Sequence, residues 1–301
     1  MPHLIDFYED HKADRDKFEI LAFHDAQAKN FAELDSKLEP IIKNAWSGRP
    51  LPFPILLDST GETIETFGIS AFPTMLLIDP EGRLVGEATE VELEKHLPPV
   101  PLAERLPRAL DRDVRVFFSD QTLKQASEMI SKAAKVPITL DLAALQSAGL
   151  TPETKVPLTI GGTISMRSAL HLLLDALGLD VEMTPDGFTV IRQAAGSSRS
   201  RPPSKPQERC ARRIEERLKT KASFRFDKAP LEEVAQYFEE QTMENFVLDP
   251  AGRKSGAIDP KAVVSGSAED QPLGAAIVRM LRPLGLHLEV RDEVVVITKA
   301  P

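Results

Sequence analysis

The sequence predicts a multidomain chain of mixed class, α/β and then α+β: one α/β unit followed by two small repeated β-α-β/β-α-β-β domains. Three observations predict it. Short apolar strands alternate with helical periodicity over the first hundred residues. A second pattern then recurs at offsets of 108 and 107 residues. Segments rich in proline, serine and arginine separate these parts and break the periodicity. With 301 residues, 42% of them hydrophobic and 28% charged, each part can bury a core.

The first unit is read in order. Residues 17–25, "KFEILAFHD", form a strand. Phe31, Leu34, Leu38, Ile41 and Ile42 recur at helical spacing across 30–44. A brief strand at 54–58 leads to a short helix at 61–69, with Ile64 and Phe67 inward. Asp79-Pro80-Glu81-Gly82 suits a type I turn, so 74–86 is a hairpin, and 90–97 closes the unit as a helix. His24 and Asp25 are adjacent on a strand, which points them to opposite faces and argues for a strand end rather than a dyad. Trp46 is read as a cap over the end of the preceding helix. Pro73, in "SAFPTM", is at least a rigid turn before an apolar strand.

The stretch "FPILLDSTGETIETFGISAFPTMLLIDPEGRLV" resembles the C-terminal half of thioredoxin-like proteins, in the redoxin branch of thiol-disulfide oxidoreductases. The resemblance implies a cis bond at Pro73 and a loop packed beside an active-site dithiol. It makes Phe72, Pro73 and Thr74 substrate-loop candidates. "MPHLIDFYEDH" looks like the remainder of the helix that starts at the family's Cys-x-x-Cys. Residues 1–97 are therefore read as a thioredoxin-like domain lacking its N-terminal strand and that motif. Thiol exchange needs a thiolate, and no cysteine lies in 1–209, so no catalytic residue is assigned.

Residues 98–108, "PPVPLAERLPR", read as a proline-rich linker, and 195–221 as a basic Pro/Ser/Arg linker and helix, with 196–211 extended. Residues 196–221 carry nine Lys/Arg against three Glu. A solvated tether is the plain reading; contact with an acidic partner or membrane surface is the alternative. Cys210, the sole cysteine, sits among Arg209, Arg212 and Arg213, whose charge would favour a thiolate; an incidental exposed thiol is the plain reading, and a reactive thiol the alternative.

The repeat aligns "VFFSDQTLKQASEMISKAAKVPITLD" (116–141) with "FRFDKAPLEEVAQYFEEQTMENFVLD" (224–249), and Leu-Gly-Leu at 177–179 with Leu-Gly-Leu at 284–286. Each copy predicts a strand (116–118; 224–226), a helix, a strand ending in Asp141 or Asp249, a strand (156–160; 262–264), a leucine-rich helix and two terminal strands. The two aspartates are read as turn formers. Pro230 suits a first helical turn, and Pro283 should shorten the last helix of the second copy. Leu170, Leu173, Leu174 and Leu177 should be as buried as Ile277, Met280, Leu281 and Leu284. Residues 109–194 and 222–299 resemble the short N-terminal domain of secretins and TonB-dependent receptors, which implies an interaction module without catalytic residues. Three compact units are expected, 1–97, 109–194 and 222–299.

The net charge of −9 speaks against a nucleic-acid binder, and no apolar run approaches the roughly 18 residues of a membrane span. The acidic first twenty residues lack the apolar core of a secretory leader, so no signal peptide is expected. Six scattered histidines give no metal-ligand spacing, and no metal or cofactor is implied. The function expected is a non-catalytic thioredoxin-like protein fused to two modules that bind a protein partner, by strand addition to the repeats. The alternative is a thiol-disulfide oxidoreductase whose cysteines lie upstream of Met1. The resemblances suggest the cell envelope or periplasm; the residues themselves leave the compartment open.

Overall fold

The computed structural model describes residues 2–44, 46, 49–119, 121–193 and 202–300. It parses into two compact units, Met1–Arg105 and Leu106–Pro301, rather than three, because the two copies form a single body.

Unit one begins with α1 (Pro2–Asp10), which buries Leu4, Ile5, Phe7 and Tyr8. The Tyr8 ring meets Phe53 and Phe18 edge-on, at centroid distances of 5.2 and 5.9 Å. Strands β1 (Ala22–His24) and β2 (Ile55–Leu57) pair in parallel, with α2 (Phe31–Asn44) between them in the chain. Buried Asp58 accepts from the backbone N–H groups of Gly61, Thr63 and Ile64, and so starts α3 (Glu62–Phe67). Phe67, expected inward, is exposed on that short helix. After the cis Phe72-Pro73 bond, β3 (Leu76–Ile78) and β4 (Leu84–Glu87) form the expected antiparallel hairpin. Thr89 caps α4 (Glu90–Glu94).

The strands of unit one stay in two separate pairs, β1 with β2 and β3 with β4. Among the described residues, twelve large apolar side chains of this unit are exposed, against six in the longer second unit. Phe23, Leu56, Ile78 and Val85 are among them. Each half-sheet thus keeps an unpaired edge and an uncovered apolar surface.

The unit boundary falls within α5 (Leu102–Ala109), where a linker was expected; the helix forms despite Pro107 and buries Leu106 and Ala109. The first copy then runs β5 (Asp113–Phe118), α6 (Leu123–Ala134), β6 (Ile138–Leu140), α7 (Leu142–Ser147), β7 (Ile160–Ser165), α8 (Met166–Leu174), β8 (Leu179–Thr184) and β9 (Gly187–Arg192). The part of the expected tether at 194–201 lies outside the described residues. From Lys205 the chain is helical, not extended: α9 (Lys205–Lys219) has a Ser204–Gln207 capping box and a proline in its first turn.

The second copy repeats the first: β10 (Lys221–Pro230), α10 (Leu231–Thr242), β11 (Phe246–Leu248), α11 (Pro250–Lys254), β12 (Val263–Pro272), α12 (Leu273–Leu281), β13 (Leu286–Arg291) and β14 (Val294–Lys299). Both copies hold a two-stranded antiparallel sheet, β5-β7 or β10-β12. Both hold a three-stranded sheet of one order, β6-β9-β8 or β11-β14-β13. The strand expected at 156–160 lies further on, at Ile160–Ser165, while that expected at 262–264 opens the longer β12; both run directly into α8 and α12. Asp141 and Asp249 are the N-caps of α7 and α11, two short helices the sequence reading did not contain.

The 108-residue offset extends upstream of the strands. Leu106 aligns with Ile214, and both are buried. The N–H of Met166 donates to Arg112 O as that of Leu273 donates to Thr220 O. Pro283 is no departure, because both copies end their leucine-rich helix in a 3-10 turn, Asp175–Leu177 and Arg282–Leu284. Three of the four expected core pairs are buried in both copies, while Leu284 is only partly buried.

Candidate functional site

In unit one the loop of Phe72, Pro73 and Thr74 is largely open to solvent, with Phe72 64% exposed. Thr74 Oγ1 donates to Ala71 O at 2.6 Å, which closes the loop on itself. His24 and Asp25 do not diverge as expected: β1 ends at His24, so the alternation stops, and His24 Nδ1 lies 3.4 Å from Asp25 Oδ1. Asp25 Oδ1 also accepts from the N–H of Gln27, a local turn contact. The Trp46 N–H donates to Ile41 O beyond the end of α2.

Cys210 is a correction. It lies on α9 packed against the core of the second copy, not on an exposed tether. Its sequence equivalent in the first copy is Leu102, an apolar position. Burial pushes the thiol up to about 12, and the nearby Arg213 guanidinium does not offset this. Arg213 Nη2 donates to Cys210 Sγ at 3.3 Å, but the same guanidinium grips Glu244 with two hydrogen bonds of 3.1 and 2.9 Å, and that carboxylate works against a thiolate. A neutral, partly buried thiol is a poor nucleophile.

Within unit two a cleft of about 480 Å³ lies where the turn between β13 and β14 meets α8 and α9. Its centre is a polar joint between the copies. Glu293 Oε2 accepts from the Ser165 N–H at 2.5 Å, and both residues are buried. His171 Nδ1 donates to Asp292 Oδ1 at 3.0 Å. Gln207 Nε2 reaches Ser168 Oγ at 3.0 Å and Asp292 Oδ1 at 3.3 Å. Asp249 accepts from Arg291 and Thr298, both at 3.1 Å. Further out, Arg253 Nη1 donates to Thr159 Oγ1 and Lys254 Nζ to Ala176 O. These polar groups satisfy one another, so the joint binds the two copies together rather than presenting open valences to a ligand.

The sequence reading missed this joint because none of its polar pairs recurs at the repeat offset. The core-facing place of Cys210 did carry a signal, the leucine 108 residues earlier. Among the described residues no group of side chains is arranged to hold a metal ion, and no helix is long and apolar enough to cross a membrane.

Part of the chain is similar to two curated proteins, the thiol-disulfide oxidoreductase ResA of Bacillus thuringiensis subsp. konkukian (strain 97-27) and that of Bacillus cereus (strain ATCC 10987 / NRS 248). Each is 33% identical over 101 residues, covering 32% of this chain and 51% of the relative. The chain thus spans about half the length of the curated relatives it matches. The similarity supports a thioredoxin-like, redoxin-type region in the chain. No family model matches, and no solved structure matches.

Proposed function

We propose that this chain is a binding or scaffolding protein, in which a thioredoxin-like region without thiols of its own is carried beside two interaction modules. One observation carries the proposal: the loop of Phe72, Pro73 and Thr74 is open in a unit with no cysteine, and the sole thiol is partly buried against the core of the other unit. Residues 109–194 and 222–299 are then modules akin to the secretin and TonB short N-terminal domain. Their two-stranded sheets, β5-β7 and β10-β12, leave edges that can accept an extended segment of a protein partner. Phe117, exposed on β5, would contribute apolar contact there. Both likenesses point to partners of the cell envelope. A disulfide-reduction assay of the chain tests the proposal, with no turnover expected.

A second reading has its own support, the likeness to ResA together with the two unjoined half-sheets of unit one. Here the protein is a thiol-disulfide oxidoreductase whose cysteines are carried upstream of Met1, directly after a strand that would join β1 to β3. Phe72, Pro73 and Thr74 then line the substrate. The reading frame before Met1 separates the two: a Trp-Cys-x-x-Cys stretch favours the enzyme, and serines in its place favour binding.

A further inference from the structure

The joint between the copies is heterologous: one face of the second copy meets a different face of the first. The donor face consists of Asp292 and Glu293 at the β13–β14 turn, Val290 beside it, and Pro250 on α11. The acceptor face consists of Ser165, Ser168 and His171 along α8, with Asp175 and Ala176 in the 3-10 turn. Because the copies share one fold, each has both faces. The contact inside the chain uses one of each, so one donor face and one acceptor face are left over.

The repeat offset locates them. The unused donor face, on the first copy, places Pro185 and Asp186 where the second has Asp292 and Glu293, Met183 for Val290, and Leu142 for Pro250. All four are exposed, Leu142 by 64% and Met183 by 53%, although Pro250 is buried in the joint. The unused acceptor face, on the second copy, has Pro272, Ala275 and Val278 in place of Ser165, Ser168 and His171. Arg282 and Pro283 replace Asp175 and Ala176. These five are exposed as well.

The chemistry of the two unused faces changes together. The polar pair His171–Asp292 corresponds to the apolar pair Val278–Pro185. The donor face carries an exposed carboxylate, Asp186, and the acceptor face an exposed guanidinium, Arg282. Pro185 cannot adopt the φ of +49° found at Asp292, so a ring rather than a carboxylate heads that turn. Of the six large apolar side chains exposed in unit two, three (Leu142, Met183 and Val278) fall on these faces.

We propose that the unused faces bind each other between chains: the first copy of one molecule docks on the second copy of the next, continuing the contact already made within the chain. Such an interface does not close on itself in a dimer. It builds head-to-tail oligomers, rings or open filaments according to the rotation between molecules. The inference goes beyond the scaffolding proposal and is independent of any chemistry in unit one.

Two single variants of the full chain, Pro185→Cys and Val278→Cys, test it. Each alters an exposed position, and thermal melts matching wild type confirm that each folds. Under mild oxidation a mixture of the two should give a disulfide-linked dimer mapped to positions 185 and 278, well above either variant alone or the wild-type chain with its partly buried Cys210. Val278→Glu should weaken self-association in sedimentation equilibrium by about tenfold or more, since it sets a carboxylate against an apolar face. A wild-type chain that stays monomeric over the concentration series, or self-association unchanged by Val278→Glu, overturns the proposal. So does a mixture without the 185–278 product, including one in which a different protein occupies these faces.

Discussion

Glu293 and Ser165 lie 128 residues apart in sequence, yet the carboxylate of one accepts the backbone N–H of the other at 2.5 Å in a buried joint. Ser165 is the N-cap of α8, so the second copy fixes the point at which a core helix of the first begins. A carboxylate beside a helix N-terminus is also favoured by the helix dipole. Glu293→Ala leaves that buried N–H without its acceptor and should cost about 1–3 kcal/mol in denaturant unfolding. Glu293→Gln keeps an oxygen in place and should cost less. Equal effects of the two variants would mean that the hydrogen bond is not what matters there.

Leu173 is fully buried on α8, and its counterpart Met280 on α12 is buried as well. Leu173→Ala should destabilise unit two by about 2–5 kcal/mol as a core truncation. Because the copies share one body, hydrogen exchange should quicken in both of them. Faster exchange confined to 109–193 would show that the copies unfold independently.

The duplication was legible because apolar positions and the Leu-Gly-Leu turns recur at a nearly fixed offset, and sheet topology follows from that pattern. The helix α5 and the first turns of α9 were not, because Pro107, Pro206 and dense charge imitate a linker, although a helix was expected towards the end of 195–221. Yet Pro206 sits in the first turn, where proline is favoured, and Leu106 and Ile214 face inward at the same offset. In unit one the order of strands and helices read correctly, while the strand expected over 17–25 covers only Ala22–His24 and the inward place given to Phe67 did not hold. Periodicity assigns a face, but whether anything covers that face depends on the rest of the sheet. Candidate site residues fared differently. The loop at Pro73 is a candidate through the family resemblance, whereas the exposed place expected of Cys210 came from its neighbours in sequence rather than its place in the repeat.

The neutral thiol of Cys210 gives a prediction for alkylation. The folded protein at pH 8 should react with iodoacetamide far more slowly than the unfolded chain, since burial pushes the thiol up to about 12 from an ordinary 9.0. The sign for stability follows from the same shift. Above pH 9 the unfolded chain releases this proton while the folded chain keeps it, so stability falls as pH rises from about 9 toward 12. In Cys210→Ala that alkaline slope should flatten. Rapid native labelling would contradict the buried placement.

Asp58 sets the opposite slope in unit one. Burial alone would raise its carboxyl, but backbone hydrogen bonds from Ile64, Thr63 and Gly61, with the Thr60 hydroxyl, outweigh this and hold it below the ordinary 3.8. The stabilisation is present above that value and is lost as pH falls through the lowered one. Trp46, the sole tryptophan, reports on this unit by fluorescence. Asp58→Asn should lower stability at neutral pH and flatten the acid limb of the Trp46 transition. An unchanged acid limb would remove Asp58 from the account.

The most direct test of the central claim is reduction of a protein disulfide by this chain, followed with a regenerating reductant and beside a Cys210→Ser variant. Dithiol exchange needs two cysteines within reach of each other, and the chain has one, partly buried on α9. The prediction is no turnover above the reductant alone for either protein. Turnover by the wild-type chain would contradict the claim, and turnover that survives in Cys210→Ser would show that the chemistry needs no thiol of this chain at all.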